Sequence, residues 1–115
     1  MTAPDVLEVA VTTPDRALAE QIAAVLVGEG LAACVQVTGP IASTWRWQGA
    51  VERAEEWGLR AKTTRAQLDA LAARVAALHP YDLPEVLAFP AVGGSAAYLD
   101  WVRRSVTPIP TEPAS

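Results

Sequence analysis

The chain reads as an α+β domain, an antiparallel sheet with two helices on one face and a short helix near the C-terminus. Three observations predict this. Apolar residues alternate with period two in some segments and recur with the helical period in others. The segments follow the order strand, helix, strand, strand, helix, strand. A Gln48-Gly49 pair between two long extended stretches folds the middle of the chain into a hairpin. With 115 residues, 51% of them hydrophobic and 19% charged, the sequence supports one domain with a real core. Residues 1–106 form that domain. The remainder, 107–115, carries Pro108, Pro110 and Pro113 and reads as a loose tail.

The first strand runs from Val6 to Val11, with Leu7, Val9 and Val11 on one face and Val6, Glu8 and Ala10 on the other. Thr13-Pro14-Asp15 opens a helix, with Thr13 as the expected N-cap, Pro14 at the first helical position and Asp15 at the positive end. Leu18, Ile22, Val25 and Leu26 supply its apolar stripe, and Gly30 offers the left-handed turn that ends it. A second strand is expected from Leu31 to Thr38, interrupted at Gly39-Pro40 and resuming from Ile41 to Trp47. Ala50 to Lys62 is its returning partner. Thr63 and Thr64 are N-cap candidates for a second helix whose buried face is Leu68, Leu71, Val75 and Leu78, and His79-Pro80 stops it. Pro84 to Phe89 is the fourth strand. Gly93-Gly94-Ser95 forms an N-cap turn before a helix from Ala96 to Arg104; without a following Lys-Thr pair it is no phosphate loop. The helix-free face of the sheet would then carry Glu8, Gln36, Glu56 and Arg60 among alanine and cysteine, a pattern that suits either water or a polar subunit interface.

Composition removes several function classes. Nine basic residues, eight arginines and Lys62, stand against 13 acidic ones, a net charge of -4, so the basic footprint of a nucleic-acid binder or of an anionic-membrane binder is missing. One cysteine excludes a disulfide framework within the chain, and one histidine excludes a two-histidine metal motif. No apolar run approaches the roughly 20 residues of a membrane helix. Met1 to Asp5 shows no secretory signal, so the expected compartment is the cytoplasm. Four serines and one histidine without a nucleophile-elbow pattern give no support to an enzyme.

Five pieces of sequence fall in a recognisable order: Leu31-Ala32-Ala33-Cys34-Val35 after the first helix, Trp47-Gln48-Gly49 at the hairpin, Lys62-Thr63 before the second helix, His79-Pro80-Tyr81 with Pro84-Glu85, and Tyr98-Leu99-Asp100-Trp101. Together, over residues 6–106, they resemble the CutA family of divalent-cation tolerance proteins. The resemblance implies a ferredoxin-like βαββαβ subunit and a tight homotrimer whose long hairpin strands pair between subunits. It also implies a part in tolerance of copper and other divalent ions, as a binding or homeostasis module and not a catalyst. The chain departs from the family pattern at Ala50, Ala54 and Trp57-Gly58. It also departs at Val11 and Leu78, where some members carry a cysteine and a histidine proposed as metal ligands. Of that ligand set only Glu85 is present.

The candidate metal ligands are therefore His79 and Glu85, with Asp82 and Cys34 as helpers, a mixed oxygen and nitrogen set that copper(II) or zinc accepts. Each has an ordinary alternative: His79 as a helix C-terminal residue, Cys34 as a small packed hydrophobe. Trp45, Trp47 and Trp57 are expected at a subunit interface, with an aromatic ligand wall as the other reading, which would include Trp101. Lys62 is a candidate anion-binding residue at a strand end, or one half of an ion pair. Two rival functions stay open: a PII-like sensor binding a small molecule or anion in clefts between subunits, and a scaffolding trimer with a protein partner.

Overall fold

The computed structural model describes residues 4–106; the predicted tail, 107–115, lies outside the described residues. The elements are β1 (Val6–Thr13), α1 (Arg16–Gly28), β2 (Cys34–Trp47), β3 (Ala50–Thr64), a 3-10 turn (Arg65–Gln67), α2 (Leu68–Leu78), β4 (Val86–Pro90) and α3 (Ala96–Ser105). The strands form one sheet in the order β2-β3-β1-β4, each neighbouring pair antiparallel. Each main helix thus links two strands separated by a third, the double split crossover of the ferredoxin-like fold. Val9, Val11, Leu59 and Ala61 on the sheet meet Ala19, Ile22 and Leu26 of α1 and Leu71 and Val75 of α2 in the core. No described helix is long and apolar enough to cross a membrane.

The start of α1 differs from expectation. Asp15, extended at φ −153°, is the N-cap, its carboxylate accepting from the Leu18 amide at 2.8 Å. Thr13 instead ends β1, fully buried, with its hydroxyl within 2.9 Å of the Asp15 carbonyl and 3.1 Å of the Trp57 carbonyl. Pairing with Trp57 holds Thr13 in the sheet, so the cap falls to the next suitable side chain. At the other end Gly30 takes φ +72°, and the Leu31 and Ala32 amides both return to the Leu26 carbonyl at 2.9 and 3.1 Å. These bonds hold Leu31 to Ala33 as a tight connection, so the second strand starts at Cys34 and not at Leu31.

Thr63 and Thr64 also belong to a strand and do not cap α2. The buried Thr63 hydroxyl donates to the Leu31 carbonyl at 2.6 Å, tying the end of β3 to the α1–β2 connection. The chain then passes through the 3-10 turn before α2 begins at Leu68, with no side chain capping the helix because that turn already supplies the helical geometry. The fourth strand is shifted two residues along at its start and one at its end, Val86–Pro90, an edge position where a terminal proline is tolerated. Ser95 caps α3 by accepting from the Tyr98 amide at 3.2 Å.

Gly39 and Pro40 do not break the second strand. They form a bulge: Thr38 pairs with Gly58 and Ile41 with Glu56, leaving two residues of β2 opposite Trp57 alone. The Trp57 ring lies over Gly39, so closely that a Cβ there would sit 2.5 Å from a ring carbon, while Arg16 covers the ring with its guanidinium carbon 5.6 Å from the centroid. Beyond the bulge the hairpin continues to a tight turn at Gln48 and Gly49, whose φ values of +49° and +83° match the right-handed strand twist. Its pairs from Ile41–Glu56 to Trp47–Ala50 lie past the last pair of β1, so this part of the hairpin projects from the sheet.

Gly39→Ala is expected to force the Trp57 ring aside and to cost about 1–3 kcal/mol in urea unfolding, the usual penalty of overpacking. Gly58→Ala, where a Cβ meets nothing nearer than 3.6 Å, is expected to stay within about 0.5 kcal/mol of the parent.

Candidate functional site

The projecting hairpin forms one wall of an open groove of about 940 Å³, and the segment Pro80 to Glu85 forms the other. On the hairpin side, antiparallel register puts Trp45 directly opposite Glu52, so the two side chains share a face. Trp47 lies one pleat further on, and Glu56 near the bulge. Trp45 and Trp47 remain a little over a third exposed, whereas Glu56 is only 6% exposed. On the loop side stand Tyr81, Asp82 and Glu85.

The loop is fastened by His79. This residue ends α2 in an extended conformation, as the following proline demands, and its ring is buried. The Tyr81 amide donates to Nδ1 at 3.2 Å, which places the ring proton on Nε2, and Nε2 donates to the Thr12 carbonyl at 2.7 Å. Both nitrogens are thus spent inside the subunit. The tyrosine ring packs against the imidazole with centroids 4.6 Å apart, and its hydroxyl donates to Glu56 Oε2 at 2.9 Å. One chain of contacts therefore joins β1, the loop and β3. Burial of the phenol, its bond to Glu56 and the negative charges of Glu56 and Asp15 push the Tyr81 pKa up to about 12.

Of the residues singled out in the sequence, Asp82, Glu85, Trp45 and Trp47 come together along this groove, and His79 lies behind it as the loop's anchor. Cys34 does not join them. It is half-buried in the row Cys34–Lys62–Glu8 across the sheet, four residues along β1 from Thr12, about 13 Å away. Among the described residues no three of His, Cys, Asp and Glu converge as a metal-binding group. Trp57 is engaged within the subunit by Gly39 and Arg16, and Trp101 packs beside Tyr98 on α3 with centroids 5.6 Å apart.

Lys62 stands as one half of an ion pair. The strand continues to Thr64, so Lys62 is not at its end, and its ammonium lies 3.0 Å from Gln36 Oε1 and 3.3 Å from Glu8 Oε2. Its charge is already matched, in a polar cluster on the helix-free face that Arg60 extends through Gln36 at 3.4 Å. That face carries Glu8, Gln36 and Arg60 as expected, but Glu56 is buried under Tyr81 because the loop after α2 folds over it. It also exposes Leu87 and Phe89, which pair with Ala10 and Glu8 and were not foreseen there. Tyr81, Glu56 and Glu52 are groove residues that sequence reasoning missed. Glu52 had a signal: once the turn is set at Gln48-Gly49, counting back along the ladder places it opposite Trp45.

Comparison with known proteins gives a consistent result. The family described as CutA1 divalent ion tolerance protein matches residues 7–105. A divalent-cation tolerance protein CutA of Thermus thermophilus is 44% identical over 97 residues, covering 84% of this chain and 94% of that protein. The chloroplastic protein CutA 1 of Oryza sativa is 40% identical over 104 residues, 90% of this chain, which spans 58% of that longer protein. Among solved structures, a divalent cation tolerance protein from Thermus thermophilus superposes with a TM-score of 0.87 at 42% identity, covering 89% of this chain and 99% of the other. CutA from Synechococcus elongatus gives 0.84 at 42% identity, with coverage of 93% and 95%.

Absorbance titration of the phenols is expected to show a component ionising near pH 12, absent in Tyr81→Phe. The folded value lies above the roughly 10 of an unfolded tyrosine. Between those values the unfolded chain therefore holds fewer protons than the folded one. The stability that Tyr81 contributes is complete below pH 10 and is lost as pH rises through its folded value. His79→Leu, which strands the Thr12 carbonyl and the Tyr81 amide, is expected to cost about 1–3 kcal/mol for each group left buried and unpaired, read as a lowered urea midpoint.

Proposed function

Because the chain belongs to the CutA1 divalent ion tolerance family, we propose that it acts as a homotrimeric divalent-cation-binding protein, with copper(II) as its favoured ion, and that its role is binding and not catalysis. The observation that carries this reading is the pair of carboxylates, Asp82 and Glu85, on a fastened loop at an open groove, neither in an ion pair among the described residues. They are the ligands we propose. His79, with both nitrogens bonded, and Cys34, in another part of the sheet, stand outside that set. Two carboxylates do not close around a metal, so the site is open and its remaining donors come from water or a neighbouring subunit. Copper(II) is favoured because divalent first-row ions bind oxygen and nitrogen donors most tightly at copper.

Assembly into a trimer is supported by what one subunit leaves uncovered. β2, 14 residues long, stands at one edge of the sheet, and β4 stands at the other. Leu87 and Phe89 on β4 and Tyr98 and Trp101 on α3 are exposed apolar side chains, each between 38% and 53% accessible. A long free strand edge on one side and exposed apolar side chains on the other are what pairing between copies would cover. The pairing of Lys62 with Glu8 and Gln36 speaks for the cation-binding reading over an anion sensor.

Light scattering is expected to give three times the 12.1 kDa subunit mass, and a monomer would refute the assembly. Calorimetric titration of metal-stripped protein with copper(II) and zinc is expected to show saturable binding, tighter for copper, that the double variant Asp82→Asn, Glu85→Gln loses. Affinity no better than millimolar, or full binding by the double variant, would refute the metal reading.

A further inference from the structure

The bond that fastens the loop can exist in only one protonation state of His79. The Tyr81 amide is a donor, so Nδ1 must be a bare nitrogen to accept from it at 3.2 Å, while Nε2 carries the ring proton and donates to the Thr12 carbonyl at 2.7 Å. A second proton on the ring goes to Nδ1. It sets one N–H against another and ends the bond to Tyr81, yet it leaves the bond to Thr12 in place, now made by a charged donor. Among the described residues, the segment from Pro80 to Pro84 is held by the Tyr81 amide on His79 and the Tyr81 hydroxyl on Glu56. Loss of the first leaves that segment on a single side-chain bond.

The surroundings put no cation in the way of such a proton. The imidazole is buried beside Thr12 of β1 and against the Tyr81 ring. The charges that reach Tyr81 are those of Glu56 on β3 and Asp15 at the start of α1, both negative. The last turn of α2 holds no basic residue, and Arg16 is turned to Glu20 and the Trp57 ring. Asp82 and Glu85 follow on the loop side of the groove, acidic again.

We propose that His79 is a pH-sensitive latch for this loop: the neutral ring holds the Tyr81 amide, and proton uptake at Nδ1 in mild acid releases Pro80–Pro84 while the ring stays on Thr12. The closed loop requires the neutral ring and the open loop accepts one proton more, so acidification favours the open form by mass action. Histidine is the residue type whose charge changes between about pH 5 and pH 8, which gives the range for the switch. Release carries Asp82 away with the loop and uncovers Glu56, whose burial depends on Tyr81. The inference does not rest on the metal reading, since its groups are a buried ring and two backbone groups.

The test uses untagged, metal-stripped, full-length protein, followed by NMR from about pH 8 to about pH 5. The chain has one histidine, so the imidazole signals belong to His79 without ambiguity. The ring is expected to titrate in this range. The hydrogen-exchange protection of the Tyr81 amide, corrected for the pH dependence of exchange itself, is expected to fall about tenfold or more with the same midpoint. Amides of β3 from Leu59 to Thr63 are expected to keep theirs, which separates loop release from unfolding. His79→Asn places a side-chain oxygen near the Nδ1 position, does not titrate and retains every carboxylate around it; its Tyr81 amide is expected to stay protected at the acid end. A ring that does not titrate above about pH 5 would overturn the proposal. So would Tyr81 protection that ignores the ring's titration, an equal loss in His79→Asn, or a parallel loss throughout β3. If His79→Asn does not fold, the coincidence of the two midpoints in the parent protein, set against β3, still decides. Copper is titrated separately, so a failure of the cation reading leaves these outcomes intact.

Discussion

The two residues of β2 that stand opposite Trp57 set the geometry of everything beyond them. Side chains alternate along a strand, so one extra residue moves all that follow to the other face. Before the bulge, Val35 and Val37 pair with Ala61 and Leu59 and pack on the core. After it, the odd-numbered residues of β2 pair with Glu56, Ala54, Glu52 and Ala50 and share their face. Were the same residues paired in a ladder without the bulge, Trp45 and Trp47 would continue the face of Val37, and the groove would lose its aromatic wall. Trp57 stabilises the bulge by covering Gly39, a position that only glycine can hold at so close an approach.

The second support is the His79–Tyr81 pair, which ties the loop to β1 and β3 without any regular secondary structure. A short segment bounded by Pro80 and Pro84 makes few backbone bonds of its own, so side chains fix it. His79 contributes two of those bonds and Tyr81 a third. This explains why the single histidine of the chain sits buried beside a groove that its nitrogens do not enter. A residue type suited to metals is used here to hold the loop that lines the groove.

Local pattern made the order of elements legible in the sequence, because Leu18, Ile22 and Leu26 repeat with the helical period and Leu7, Val9 and Val11 with the strand period. Gln48-Gly49 fixed the hairpin register, and with it Trp45 beside Glu52. Boundaries were less visible. Leu31 to Ala33 alternates like a strand, but the helix end claims its amides; Thr13, Thr63 and Thr64 are good capping residues, but longer-range pairing claims them for strands. The site was legible only in part. Asp82, Glu85, Trp45 and Trp47 could be named from residue type, whereas the burial of Glu56 depends on a loop 25 residues later in the chain folding over it, which no local pattern encodes. The charge match of Lys62 was hidden for the same reason, since Glu8 and Gln36 reach it from two other strands.

The projection of the hairpin past β1 divides the molecule into parts that resist opening unequally. Amides of β3 from Leu59 to Thr63 lie between two strands and above the buried faces of α1 and α2, and their exposure to solvent requires that the whole sheet come apart. From Ile41 to Glu56 the ladder of each arm is supplied in the subunit by the other alone. Those amides can exchange through a local separation of the arms that leaves the core intact. One wall of the groove is thus a low-barrier element, while the other is fastened through His79 to the end of β1 at Thr12. Any molecule that bridges the two walls would slow exchange on the hairpin far more than in the sheet.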